Sequence, residues 1–435
     1  MKGLIFTYLL TIMGSYYGFF RPVYGAGIYI ALSILKPPAL WHWSVPIGRY
    51  SFYVAVSTLI GWARNSFGDW AHLQKVRRVV NCFIGYGAIQ WVSAWFSRFS
   101  QDPSMWYACQ KLTNDMLMVV VAASLITTFK ELRIFTWIIV AAAGYVAYEM
   151  NYSYYVEDYN RIWYAEFAAI DNNGMAMIFA MVVPVALGLG LAEKKFYAKV
   201  ASWIWMPFLA NAVFLASSRG AMLGLCFAAP FLVWLLPNKT RTYWILAGAI
   251  IFTLVLAGPS VQDRFWSIFV NPVDRDSSTQ SRITSWAAAI RAIQDNPWLG
   301  VGPRCWHRVA HGYGLDGLTI HNVFLQVGAD TGIFSSIFLL GIYLLPIRAL
   351  LKERAARALY SPWYPFWSAG IIAGIATGFM CGQFLGMERV EMPYYLSLLG
   401  MAAVKVASAE DRSPAPMTTV EELDMLRRSR AAPVT

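Results

Sequence analysis

Charge is scarce in this sequence. Asp, Glu, Lys and Arg make up 14% of its 435 residues, hydrophobic residues make up 58%, and mean hydropathy is +0.46. Soluble globular domains carry about a quarter charged residues, so an ordinary water-soluble enzyme is excluded. Cysteine is scarce too. Cys82, Cys109, Cys226, Cys305 and Cys381 are scattered without a CxxC spacing, which supports neither a disulfide framework nor a cysteine-held zinc. The "GVG" at 300–302 has no Gly-Lys-Ser/Thr after it and ends a helical pattern, so it is not a phosphate-binding loop. No RNA- or DNA-binding motif is present. The formal charge of +11 reflects Lys and Arg at the ends of apolar runs and implies no nucleic-acid partner.

What is present in quantity is long apolar runs, such as "MAMIFAMVVPVALGLGLA" and "IIAGIATGFMCGQFLG". A helix needs about 20 mostly apolar residues to cross a bilayer. The pattern predicts an all-α polytopic membrane protein in contact with membrane lipids. Spans are expected near 3–20, 23–37, 46–63, 79–97, 106–127, 133–150, 172–192, 200–216, 220–236, 243–258, 322–346, 364–385 and 391–405. That gives 12 or 13, because the second is short and begins at Pro22. The first run lacks a small-residue cleavage site and reads as a span, not a removed signal peptide.

Lys and Arg concentrate in alternate loops: "ARNSFGDWAHLQKVRR", "FKELR", "EKKFYAK", "PNKTRT" and "IRALLKERAARAL". The positive-inside rule puts these in the cytoplasm. The other set, "SRFSQDPS", "SSRG" and the long segment 259–320, then faces outward, toward the periplasm if the cell is Gram-negative. The N-terminus stays open, since an odd span count puts it outside and Lys2 does not favour that. Three regions are expected: N-terminal helices 1–165, a membrane core 166–405 that includes the outer loop 259–320, and a cytoplasmic tail 406–435. The tail's "AEDRSPAP" start reads as disordered.

The outer loop is more than a linker. "QSRITSWAAAIRAIQ" sets Ile283, Trp286, Ile290 and Ile293 at helical spacing, and Pro297 with the paired glycines ends that helix. An amphipathic helix lying on the membrane or the bundle is expected, with Ile283, Trp286, Ile290 and Ile293 on one face. Its basic residues are all arginine: Arg264, Arg275, Arg282, Arg291, Arg304 and Arg308. Arginine grips phosphate oxygens through two parallel hydrogen bonds, which lysine cannot do. Surface ion pairs with Asp263, Asp274, Asp276, Asp295 and Asp316 are the plainer use of most of them.

Three other positions could carry chemistry. Arg219, in "LASSRGAML", stands at the outer edge of two apolar runs, where a charge needs a partner or water. A snorkelling interfacial arginine is the alternative. His321 opens the span after the loop, and with an ordinary pKa of about 6.5 it is largely neutral near pH 7, as a general base must be. A helix cap is its alternative. Asp171, in "AAIDNNGMAM" on the same face, reads first as a helix N-cap.

Together these pieces resemble the O-antigen ligase and polymerase superfamily over roughly 165 to 400. The order is "SSRGAMLGL" in a tight outer turn, then "SRITSWAAAIRAIQDNPWLGVGP", then "HNVFLQVGADTG". His321-Asn322, nine residues and Gly332 fit the ligase pattern, and Ser335 stands where the pattern expects Gly, Thr or Tyr. "RPVYGAGIYIALSILKPPALWHWSVP" and "RIWYAEFAAIDNN" also resemble the exosortase-associated O-glycosylation ligases, although glycines expected around the second are missing. The resemblance implies a metal-independent glycosyltransferase without a cofactor, in the bacterial inner membrane. Its donor would be a glycan on undecaprenyl pyrophosphate, and its acceptor a lipid, protein or glycan. Arg219 and Arg282 match the family's phosphate-binding arginines and His321 its proposed base. Asn322, Asp171 and Arg304 are further candidates. A glycan polymerase shares the donor and stays open beside the ligase. A transporter would want ionisable groups at mid-membrane, where only Asp115 and Glu149 stand, and a structural scaffold would leave Arg219 unexplained.

Overall fold

A computed structural model describes residues 2–410 apart from 166, 237–242, 245–247, 249–276, 316–318, 358–361 and 387–389. The described chain is helical, with one isolated bridge between Phe167 and Ile170 and no strand. The helices are α1 (Lys2–Phe20), α2 (Pro22–Leu35), α3 (Tyr50–Arg64), α4 (Arg77–Phe96), α5 (Pro103–Leu125), α6 (Phe129–Tyr155), α7 (Asn172–Ala192) and α8 (Phe196–Trp203). They continue with α9 (Trp205–Leu215), α10 (Arg219–Leu235), α11 (Ser277–Asp295), α12 (Val323–Thr331), α13 (Ile333–Arg357), α14 (Tyr364–Gly382) and α15 (Met392–Glu410). Among the described residues, eight helical segments are long and apolar enough to cross a membrane, with α8 and α9 acting as one, and α10 is a shorter apolar helix. The protein is therefore a multi-pass all-α membrane protein.

Two boundaries differ from the sequence expectation. The span expected at 322–346 is two helices, α12 and α13, broken at Gly332. The last helix runs on to Glu410, five residues into the expected tail. The span expected at 243–258 and the tail from 411 fall wholly or largely outside the described residues.

Helix α14 is the centre of the bundle, packed against α7, α10 and α13. Its glycines recur every fourth residue, at 370, 374, 378 and 382, so they line one helix face. A Cβ at Gly370 or Gly374 would sit 2.6 or 2.7 Å from the carbonyl oxygens of Pro184 or Met181 on α7. Close backbone approach of this kind replaces the hydrophobic drive that is missing between helices in lipid.

The turns separate to two ends. At one end Asp69 N–H donates to Ser124 O (2.9 Å), the buried Lys405 Nζ donates to Ala123 O and Ser124 O (3.1 and 2.6 Å), and Arg133 pairs with Glu193. Lys405 thus caps the carbonyl end of α5. At the other end Arg161 donates to Leu40 O, Ser97 Oγ donates to Val301 O (2.6 Å), and Arg308 pairs with Asp102. Gly3 touches Trp41, and Tyr8 meets Tyr50 edge-on at 5.8 Å. The N-terminus therefore lies at the same end of the bundle as the turns at 97–102 and 297–313.

A second, smaller core forms at that end. It joins Ala94, Met105 and Cys109 of the α4–α5 hairpin to Ala288, Ala289 and Ala292 of α11, with Val301, Cys305, Trp306 and Ala329. On α11 the residues buried within the protein are Ser285, Ala288, Ala289 and Ala292, Trp286 and Ile293 are half-buried, and Ile283 and Ile290 are exposed. Small residues win that face because α11 lies close against α12, where a Cβ on Gly328 would come 2.9 Å from Ile293.

Candidate active site

Three helices begin at the outer end and carry the expected residues at their starts. Asp171 is the N-cap of α7, accepting from Gly174 N–H at 2.8 Å, so the capping reading of that residue holds. Ser218 precedes α10, with Arg219 in its first position. Asn322 caps α12, accepting from Phe324 N–H (3.0 Å) and Leu325 N–H (3.1 Å). Cross-links hold the three starts together. Asn172 Nδ2 donates to Ala216 O at 2.9 Å, just before the Ser218 turn. Gly220 abuts Phe384, Trp286 of α11 lies against the same ring (6.4 Å), and Asn322 Nδ2 donates to Gln383 at 3.3 Å. The helix dipole favours negative charge at such starts, and the Asp171 carboxylate already occupies that of α7. The Ser218 hydroxyl is buried and has no hydrogen-bond partner among the described residues.

His321 stands one residue before the α12 cap. Asn322 does the capping, which leaves the imidazole for something else. His321 has φ +54°, a left-handed conformation that costs a non-glycine residue roughly 1–2 kcal/mol. Ser217 (φ +51°), Ala168 (+53°), Ala169 (+62°) and Arg304 (+59°) share it. Held backbone strain of this kind concentrates where geometry serves function. Burial and the positive charge of Arg282 push the His321 pKa below its ordinary value, and Asp171 pulls the other way. The imidazole is therefore neutral near pH 7.

Arg219, Arg282, Asp171, His321 and Asn322 thus belong to one junction. Arg304 lines a neighbouring cavity whose wall includes Ile170, next to Asp171. Arg291 donates to Tyr313 O, and Arg308 pairs with Asp102, not with a loop aspartate. Arg264, Arg275 and the "DRD" at 274–276 lie outside the described residues. Among the described residues no group of three His, Cys, Asp or Glu side chains is placed to hold a metal.

Sequence reasoning missed the clamp beneath this junction. Asp330 is buried. Its carboxylate accepts from Trp306 N–H (2.8 Å) and Gln326 Nε2 (2.8 Å), and its carbonyl accepts from Gly302 N–H (2.7 Å). Val301 N–H donates to Ala329 O (3.1 Å) and Ile333 N–H to Pro297 O (2.9 Å). "NPWLGVGP" is thereby laid along "GADTG", and Arg282 is fixed through α11. An aspartate amid an apolar run was the available signal.

Fold and junction together define a polytopic membrane protein with a cationic, water-edge site built on helix N-termini. Residues 201–340 match the family model described as O-antigen ligase, a stretch that contains Arg219, Arg282, His321 and Asn322. The match supports the O-antigen ligase superfamily for this region and, with the apolar helices, a membrane glycan enzyme of ligase or polymerase type. No curated protein matches the chain.

Proposed function

We propose that this protein transfers a glycan from undecaprenyl pyrophosphate to an acceptor hydroxyl at the outer face of the bacterial inner membrane. Residues 166–405 would form the catalytic unit, with 1–165 as supporting helices. The observation that carries the reading is His321, held neutral beside Arg282 and Asp171 where three helix N-termini meet. The acceptor oxygen attacks the anomeric carbon, a new C–O bond forms, and the bond from that carbon to pyrophosphate breaks. His321 takes the hydroxyl proton. Arg219, Arg282 and the start of α10 stabilise the charge growing on the leaving pyrophosphate, as fixed donors do in other transferases. Asn322 and Asp171 shape the junction and do not bind substrate in this scheme. A polymerase differs only in using a glycan acceptor.

The test is transfer from undecaprenyl-pyrophosphate-linked glycan, normalised to protein in the membrane. His321→Ala should slow transfer by about 10²–10⁴, and Arg219→Ala by about 10²–10³. Arg282→Lys keeps the charge without the two-point grip and should be partly active. Near wild-type transfer by His321→Ala would rule out His321 as the base.

A further inference from the structure

Beside the junction lies a cavity of about 150 Å³ between α4, α5, the turn at 168–170 and Pro303–Arg304. Ala169 and Ile170 form part of its wall and lead directly to Asp171. We infer that this cavity is a subsite for one neutral sugar ring of a substrate glycan; the inference deepens the transferase reading and rests on it.

Size comes first. A cavity of ~150 Å³ takes a single six-membered ring. Charge comes second. Asp115, Lys111 and Arg304 all line the cavity. A free anion there would meet the Asp115 carboxylate, and a free cation would meet Lys111 and Arg304. A polyhydroxyl ring, whose O–H groups both donate and accept, suits all three. Orientation is third. Glu391 Oε1 accepts from Lys111 Nζ at 2.9 Å and from Lys36 Nζ at 3.0 Å, and Lys111 Nζ lies 3.9 Å from Asp115 Oδ2. These groups are fixed before any ligand arrives, so little ordering is needed on binding. Gln90 is tethered by Thr331 at 3.1 Å, which ties this wall to the α12 end. Tyr107, 66% exposed, offers a ring at the cavity edge on which a sugar's C–H face can lie. Ionisable side chains within a membrane span are conspicuous enough to demand a use. Here Lys111 and Asp115 face a cavity that runs from Arg304 to the middle of α5.

The experiment uses the full chain in nanodiscs with two probes. One is glycan-free undecaprenyl pyrophosphate. The other is the glycan released by mild acid from the host's lipid-linked pool. Tyr107→Ala touches no core and is the principal variant, with Asp115→Asn beside it. Each should weaken binding of the released glycan about fivefold or more, the loss of one good contact, and leave undecaprenyl pyrophosphate binding within about twofold. Arg219→Ala should do the reverse. A glycan affinity that is unchanged, paired with a fivefold rise in acceptor KM, would still support the subsite and assign it to the acceptor's sugar. Folded Tyr107→Ala protein with neither change would overturn the inference, as would inorganic pyrophosphate displacing the glycan from the cavity. If Arg219→Ala fails to weaken undecaprenyl pyrophosphate while Tyr107→Ala weakens the glycan, the phosphate assignment falls and the subsite stands.

Discussion

Replacing Gly332 with alanine tests how the junction is held. Gly332 has φ +87° and ψ +169°, a region open essentially to glycine alone, where another residue costs roughly 1–3 kcal/mol. An added Cβ would also lie 2.1 Å from the Trp298 carbonyl oxygen and 2.4 Å from its carbon. That contact is with backbone and cannot be relieved by a rotamer change. Relief requires 297–302 to lift from α12, which breaks the bonds at Ile333, Val301 and Gly302 at about 1 kcal/mol each. The total is about 4–6 kcal/mol, and it falls on the segment that positions α11 and Arg282. A misplacement of about 1 Å costs such a site roughly 10²-fold in rate. We expect Gly332→Ala to lower the thermal transition in nanodiscs and to cut glycan transfer about a hundredfold. Gly87→Ala is the control: its Cβ meets nothing within 4 Å, and helix propensity favours it. Wild-type stability and transfer in Gly332→Ala would refute the clamp.

Protonation of His321 removes the base, so the acid limb of kcat/KM should lie below the ordinary histidine value of 6.5, because burial and Arg282 lower that pKa. Arg282→Gln should move the limb up, and Asp171→Asn, which can still cap α7, should move it down; equal shifts in one direction would contradict the assigned charges. In a cysteine-free background, His311→Cys and Lys194→Cys lie at opposite ends of the bundle. An impermeant thiol reagent on cells opened only at the outer membrane should label position 311 and spare 194, and the converse would invert the topology. Transfer should survive EDTA, with arginines in the cation's place; abolition by EDTA with rescue by magnesium would make Asp274 and Asp276 the candidates for study.

Much of this was legible in the sequence, for identifiable reasons. Apolar runs of span length leave a chain few options in lipid, so helix after helix fell near its expected place. The alternation of lysine between loops matched the separation of turns to two ends. What escaped was non-local. Gly332 breaks a run that is apolar on both sides, and only its contact with Trp298 explains why a continuous span is impossible. Ile283 and Ile290 outweigh alanine on any hydrophobicity count, yet helix proximity selected Ala288, Ala289 and Ala292 for burial.

Asp171, Arg219, Arg282 and His321 were readable as candidates one at a time, each at an apolar edge where a polar group needs a reason. Their assembly was not readable, because it depends on turns far apart in the chain. The Asn172 bond to Ala216, the Phe384 ring between Gly220 and Trp286, and the Gln383 contact with Asn322 bring three helix starts to one place. Each start alone favours a negative charge by well under 1–2 kcal/mol. Three aimed at one region, with two guanidinium groups beside them, provide a stationary positive field that needs no rearrangement as charge develops. Burial first, and the Arg282 charge second, lower the His321 pKa. In the proposed scheme this suits a base set among phosphate-binding groups, which must resist protonation.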